Sequence, residues 1–196
     1  MKNRRNSYYL YLNWPVYLAQ WYAHEMYRLK HSEDEHISPY IYDCSAPVTE
    51  LDPVDTRRGS AERNILEMCL SKQPDNIRVL PSKEATICLV IPNFVHKPAA
   101  TYNYLSPKSK SLLEQTARNH FKMELTKYIN KIFFASEQKG SYKPSRELTV
   151  QAFMENNGIE CTETNIEAIK MIWRRLYNQQ YYSKLKKKWE YQVYKE

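Results

Sequence analysis

Ala85-Thr86-Ile87-Cys88-Leu89-Val90-Ile91 is a continuous apolar run closed by Pro92. A run this short, rich in β-branched residues and bounded by proline, reads as a strand buried on both faces. Tyr8-Tyr9-Leu10-Tyr11-Leu12 reads as a second strand and Ile77–Leu80 as a third. Pro15 opens a helix over 16–30, in which Leu18, Trp21, Tyr22, Met26 and Leu29 share one face while Gln20, His24, Arg28 and Lys30 fall elsewhere. Residues 31–60 are broken by Pro39, Pro47, Pro53 and Gly59 and read as a long irregular connection, functional or mobile by its length. Ser60 caps a helix bearing Ile65, Leu66, Cys69 and Leu70, which Pro74-Asp75-Asn76 breaks. Residues 1–100 thus read as a small α+β module.

Residues 101–196 read as helical. Ser106-Pro107 is a cap followed by proline at the first helical position. Leu113, Ala117, Phe121, Leu125, Tyr128, Ile129 and Ile132 then form one stripe, predicting a helix to about Phe134. Gly140-Ser141-Tyr142-Lys143-Pro144 is a break. Ser145 caps a short helix with Leu148, Ala152 and Phe153 inward, which ends at Asn157-Gly158. Thr164-Asn165-Ile166-Glu167 fits a capping box. It opens a long helix with Ile166, Ile169, Trp173, Leu176, Tyr177, Tyr181, Leu185 and Trp189, roughly 40 Å if unbroken. The predicted fold is α+β and predominantly helical. A small N-terminal sheet packs on helices, and the C-terminal half carries a helix-turn-helix-like pair and a long basic terminal helix, either as two modules or as one continuous domain.

Charge follows the same division. The 196 residues carry 29 basic and 22 acidic groups, a net charge of +7. Residues 1–100 hold 12 of each sign, so the whole excess lies in residues 101–196, with 17 basic and 10 acidic groups. Such asymmetry suggests a basic surface that faces an anionic partner. Glycine numbers only 3, against roughly 14 at ordinary usage. No glycine-rich phosphate loop of the GxGxxG or GxxxxGK[ST] kind is present, so the commonest nucleotide-dependent enzyme classes lose their motif. No cofactor is expected.

The pair of helices over 145–182 is the leading constellation. A helix-turn-helix places a short helix, a tight turn and a second helix in the major groove. Thr162, Thr164 and Asn165 stand at the start of the second helix, where they could reach base edges while free N–H groups bind phosphate. Arg174, Arg175, Lys184, Lys186, Lys187 and Lys188 could neutralise backbone phosphates, and Tyr181 could stack on unpaired bases. The connection from Asn157 to Thr164 is longer than the three or four residues of the usual motif. An αα-hairpin that only packs the core is the plain alternative, with Trp173 and Tyr177 inside it.

Other chemistries find less support. His24, His31 and His36, with Glu33, Asp34, Glu35, Asp43 and Cys44, are metal-ligand types without a zinc spacing. A metal-dependent nuclease would need paired acids with a following lysine; Asp75 precedes the apolar strand, but Lys83-Glu84 stands in the wrong order, and Asp52 and Asp55 lack a lysine partner. Cys44, Cys69, Cys88 and Cys161 have no CxxC spacing; Cys69 and Cys88 read as small buried hydrophobes and all four as free thiols. Met1-Lys2-Asn3-Arg4-Arg5 and the uncharged stretch Asn6–His24 imitate a signal segment. Asn13, Pro15 and Gln20 interrupt it and no cleavage site follows, so no membrane association is expected.

Tyr9-Leu10-Tyr11-Leu12-Asn13, Tyr102-Asn103-Tyr104-Leu105-Ser106, Phe153-Met154-Glu155-Asn156-Asn157-Gly158-Ile159 and Arg174-Arg175-Leu176-Tyr177 resemble segments of small uncharacterised proteins from phages and mobile elements of Bacteroides-like bacteria. The resemblance implies a bacterial cytoplasmic or phage origin and supplies no functional residues. The expectation is a non-enzymatic DNA-binding accessory or regulatory protein acting on duplex DNA through its basic helical half. A protein-interaction or structural component of a phage or mobile element is the alternative, and a metal-dependent nuclease is third.

Overall fold

The computed structural model describes residues 8–31, 40–75, 83–139 and 145–193, with side chains described except at 133–139 and 179–193. The fold is α+β and predominantly helical. Packing divides the chain into one unit of Met1–Phe121 with Asn156–Glu160 and another of Lys122–Glu155 with Cys161–Glu196. The sequence boundary at 100/101 follows charge instead. Among the described residues no helix is long and apolar enough to cross a membrane.

The first unit is organised by β4 (Ile87–Ile91), the run quoted at the outset. It is the central strand of three: β1 (Tyr8–Leu12) pairs antiparallel on one side and β2 (Pro53–Val54) parallel on the other. Leu10 opposes Leu89 and Leu12 opposes Ile87, so the buried leucines of β1 face the buried residues of β4. Thr86 secures the exit of β1: its Oγ1 accepts from the Trp14 N–H at 2.8 Å and donates to the Trp14 carbonyl at 2.6 Å.

α1 (Val16–Lys30) follows, with Pro15 as its N-cap rather than its first helical residue. Tyr17 through His24 are all buried, so the helix is enclosed on every side over two turns. The expectation of a single apolar face is corrected here. Gln20 and His24 are buried, whereas Met26 and Leu29 are only half-buried. Polar residues are tolerated because they are paired: Gln20 donates to the Tyr42 carbonyl at 3.4 Å and accepts from the Glu160 N–H at 3.1 Å. His24 Nδ1 lies 3.0 Å from the Tyr40 carbonyl oxygen.

The supposed irregular connection is packed from residue 40 onward. Tyr42, Leu51, Val54 and Thr56 are buried. The Tyr42 hydroxyl donates to the Asp52 carbonyl at 2.9 Å and accepts from the Cys88 N–H at 3.2 Å, tying the segment to β4. Proline and polar residues hid this from the sequence, because the anchoring is made by backbone groups and one tyrosine.

α2 (Ala61–Cys69) begins as predicted, with the Ser60 hydroxyl accepting from the Arg63 N–H. It buries Glu62, Ile65 and Leu66, while Cys69 is only half-buried. A second, two-stranded antiparallel sheet joins β3 (Ser71–Lys72) to β5 (Tyr102–Tyr104); neither strand was read from the sequence. The predicted strand Ile77–Leu80 lies outside the described residues. α3 (Pro107–Lys139) is capped by Ser106 and buries Leu113, Ala117, Phe121, Leu125 and Ile129 of the predicted stripe, while Tyr128 and Ile132 are half-buried; it runs past the predicted end at Phe134.

In the second unit, α4 (Arg146–Asn156) is capped by Ser145, whose hydroxyl accepts from the Leu148 N–H. Its inward residues are Thr149, Val150, Phe153 and Met154. Leu148 is exposed, a correction to its predicted inward place. Tyr128 and Phe153 meet edge to face at 5.2 Å. α5 (Glu163–Val193) is one unbroken helix of 31 residues, about 46 Å long. Ile169 and Trp173 are buried, whereas Tyr177, expected in the core, is 45% exposed.

Candidate nucleic-acid interface

The start of α5 differs from its sequence reading in register. The cap is Thr162, whose Oγ1 accepts from the Asn165 N–H at 3.3 Å and whose carbonyl accepts the first helical N–H, from Ile166. The helix therefore begins before the predicted box at Thr164. This register turns Asn165 inward, where it is 3% exposed. A buried amide cannot reach a base edge, so Asn165 is a packing residue and its assignment as a base contact is corrected. The Thr162 hydroxyl is occupied as an acceptor. Thr164 is exposed. Glu163 places an acidic side chain in the first turn, where it opposes an incoming phosphate and complements the positive end of the helix.

The connection between α4 and α5 also departs from a helix-turn-helix turn. Residues 156–160 belong to the first unit. Gly158 has φ +63° and is buried, and a Cβ on it would overlap the His24 ring and the Tyr40 carbonyl. Ile159 is buried beside it, and the Glu160 N–H is taken by Gln20. Sequence reading assigned Gly158 only the left-handed end of a helix. Its tight approach to α1 adds a second demand that no local pattern signals.

Further along α5 the cations are placed differently from one another. Lys170 is engaged: Nζ lies 2.9 Å from Glu167 and 3.6 Å from Glu147, and hydrogen bonding to Glu167 raises its pKa above the ordinary value. Arg174 and Arg175 are exposed, and among the described residues neither forms an ion pair. Met171 and Tyr177 flank them, each nearly half exposed. The backbone of α5 continues helically through Tyr181, Lys184, Lys186, Lys187 and Lys188, whose side chains lie outside the described residues. The structure thus brings Thr164, Arg174 and Arg175 to the surface of one helix and withdraws Asn165.

Among the described residues no three His, Cys, Asp or Glu side chains gather as a metal site. Sequence reading passed over a buried acid: Glu62 is 1% exposed and its Oε1 stands 2.7 Å from His120 Nδ1, a pair between α2 and α3 that no spacing reveals. No protein-family model, curated protein or solved structure matches this chain.

Proposed function

We propose that this chain is a non-enzymatic DNA-binding accessory or regulatory protein of the bacterial cytoplasm, which grips duplex DNA by its phosphates along α5. The observation that carries the reading is the exposure of Arg174 and Arg175 without ion-pair partners among the described residues, on a helix that continues through Lys184, Lys186, Lys187 and Lys188. Unpaired guanidinium groups in water lose little on meeting a phosphate and form strong charge-assisted hydrogen bonds with it. The capped, acidic start of α5 and the burial of Asn165 argue against base reading there, so the proposed binding positions the protein without selecting sequence.

Binding to duplex DNA should weaken with salt by about 0.9 log units per log unit for each phosphate held. Replacing Arg174 and Arg175 with Gln should flatten that slope by about 1–2 units, and replacing Lys186, Lys187 and Lys188 with Gln by about 1–3 units. Duplexes of unrelated sequence should weaken alike. Absence of duplex binding by the unmodified protein at low salt overturns the reading. Met171, Tyr177 and Leu148, all substantially exposed, then favour the alternative of a protein-interaction or structural component of a phage or mobile element.

A further inference from the structure

A cleft of about 440 Å³ opens in the first unit beside the C-terminal turns of α1 and the segment following β2. Its volume suits one small organic molecule and is far too small for a nucleic-acid duplex. Ala23, Met26 and Leu29 of α1 and Val54 of β2 make an apolar floor. Tyr27 forms an aromatic wall with His31 and Tyr40: its ring centroid lies 4.2 Å from that of His31 and 4.5 Å from that of Tyr40, with the two tyrosines nearly parallel at 15°. The rim carries Lys30, Asp55 and Arg57, all exposed.

The charges at this rim are unbalanced. Lys30 and Asp55 stand 3.9 Å apart, a loose surface pair that a ligand can open. Arg57 has no ion pair among the described residues. Lys30 and Arg57 exceed Asp55 by one positive charge, and the negative end of the α1 dipole nearby, equivalent to about half a charge, offsets only part of it. The Tyr40 phenol itself is neutral, since burial and the neighbouring Asp52 push it up to about 12; Asp52 accepts from its hydroxyl at 3.4 Å and does not line the cleft. Thr56, which also lines the cleft, has a buried hydroxyl without a hydrogen-bond partner. An unmet buried hydroxyl is costly, and a ligand acceptor would relieve it once the side chain turns toward the cleft.

We propose that this cleft binds a small molecule consisting of a planar ring with one anionic substituent, the ring against the Tyr27–Tyr40 wall and the anion at Arg57 and Lys30. A nucleoside monophosphate and an aryl carboxylate share this chemistry. The site lies in a different unit from Arg174 and Arg175, so it stands or falls separately from DNA binding.

The test is a titration of the full chain, followed by amide NMR, with the nucleoside 5′-monophosphates in one arm and 2-naphthoate in the other. Saturable shifts confined to residues 23–31 and 40–57 are expected in at least one arm, and the responding arm identifies the source. The matching uncharged nucleoside or naphthamide should bind about tenfold more weakly, and Arg57→Gln should weaken the charged probe by a similar factor. Thr56→Val tests the hydroxyl and should weaken binding severalfold. Because Arg57 is exposed, its loss should leave the amide spectrum of the free protein folded. Shifts appearing only on α5, binding unaffected by Arg57→Gln, or no saturable shift with any probe would each overturn the proposal.

Discussion

Each unit is packed internally by its own kind of contact. In the second, apolar side chains at helical spacing do most of the packing: Leu125, Ile129, Val150, Phe153, Ile169 and Trp173. In the first, α1, the segment from residue 40 and the central strand are stitched by Gln20, His24 and Tyr42, and Glu62 of α2 meets His120 of α3. Helical stripes tolerate small shifts in register, because neighbouring hydrophobes substitute for one another. Polar clamps do not, because a buried donor or acceptor that misses its partner loses far more than a displaced methyl group. The comparison predicts that the first unit responds sharply to changes that touch ionisation or close backbone approach, and the second much less.

High pH should separate the units most strongly. In the first unit burial raises the Cys44 thiol to about 12 and the Cys88 thiol to about 11, both from an ordinary 9.0, and the Tyr40 phenol to about 12 from 10.0. Tyr22 and Tyr42 are pushed higher still by burial. Each group keeps its proton in the folded state at pH values where the unfolded chain releases it. Stability is therefore full below about pH 9 and falls as the pH rises toward these folded-state values. In the second unit partial burial and Glu155 raise the exposed Cys161 thiol, which anchors no packing. Urea unfolding followed by hydrogen exchange at pH 8 and pH 10.5 should show loss of protection in β4 before loss in α5. Equal loss in both would break the comparison.

A smaller effect is expected from Gly158→Ala. The left-handed backbone and the overlap with His24 and the Tyr40 carbonyl should together cost about 2–5 kcal/mol. Gly59→Ala is the control: it shares the left-handed conformation, φ +76°, but a Cβ there meets nothing within 4 Å, so about 1–2 kcal/mol is expected. The sharpening observation is where the damage appears. Although Gly158 lies between two helices of the second unit, the loss should register in β4 and α1. Equal losses for the two glycines would show that the close approach to α1 carries no energy.

The smallest effects distinguish packing from surface on α5. Asn165→Ala should destabilise the second unit by about 1–2 kcal/mol, as expected for truncating a side chain that is 3% exposed. Thr164→Ala and Arg174→Gln should stay within about 0.5 kcal/mol. Thermal unfolding of the three variants checks the order, and an Asn165→Ala protein as stable as the Arg174 variant would return Asn165 to the surface.

Much of this architecture is legible in the chain. The caps at Ser60, Ser106 and Ser145 are local and appear as read; the run read over 85–91 forms its strand from Ile87 to Ile91, and the α3 stripe is buried at five of its seven positions. The concentration of positive charge after residue 100 is likewise a property of composition. Hydrophobic period and capping chemistry act within a few residues, so a window along the chain contains their cause. The misreadings are of another kind. Thr162 rather than Thr164 caps α5, because packing of Asn165 and Ile169 selects the register. The β2 strand is two residues long and exists only because β4 supplies its partner.

Tertiary structure alone decided which polar residues are interior. Gln20 meets the Glu160 N–H 140 positions away, Tyr42 meets the Cys88 N–H 46 positions away, and Gly158 is pressed on His24 and Tyr40. The same holds for the cleft between α1 and residues 53–57, where charges remote in sequence share one rim. The helices, their caps, the central strand and the place where charge accumulates follow from each residue's own chemistry and its near neighbours, whereas β2, β3 and β5 need a partner strand remote in the chain. Which groups face one another followed only from the folded chain, because a hydrogen-bond partner is chosen by position in space and not by distance along the backbone.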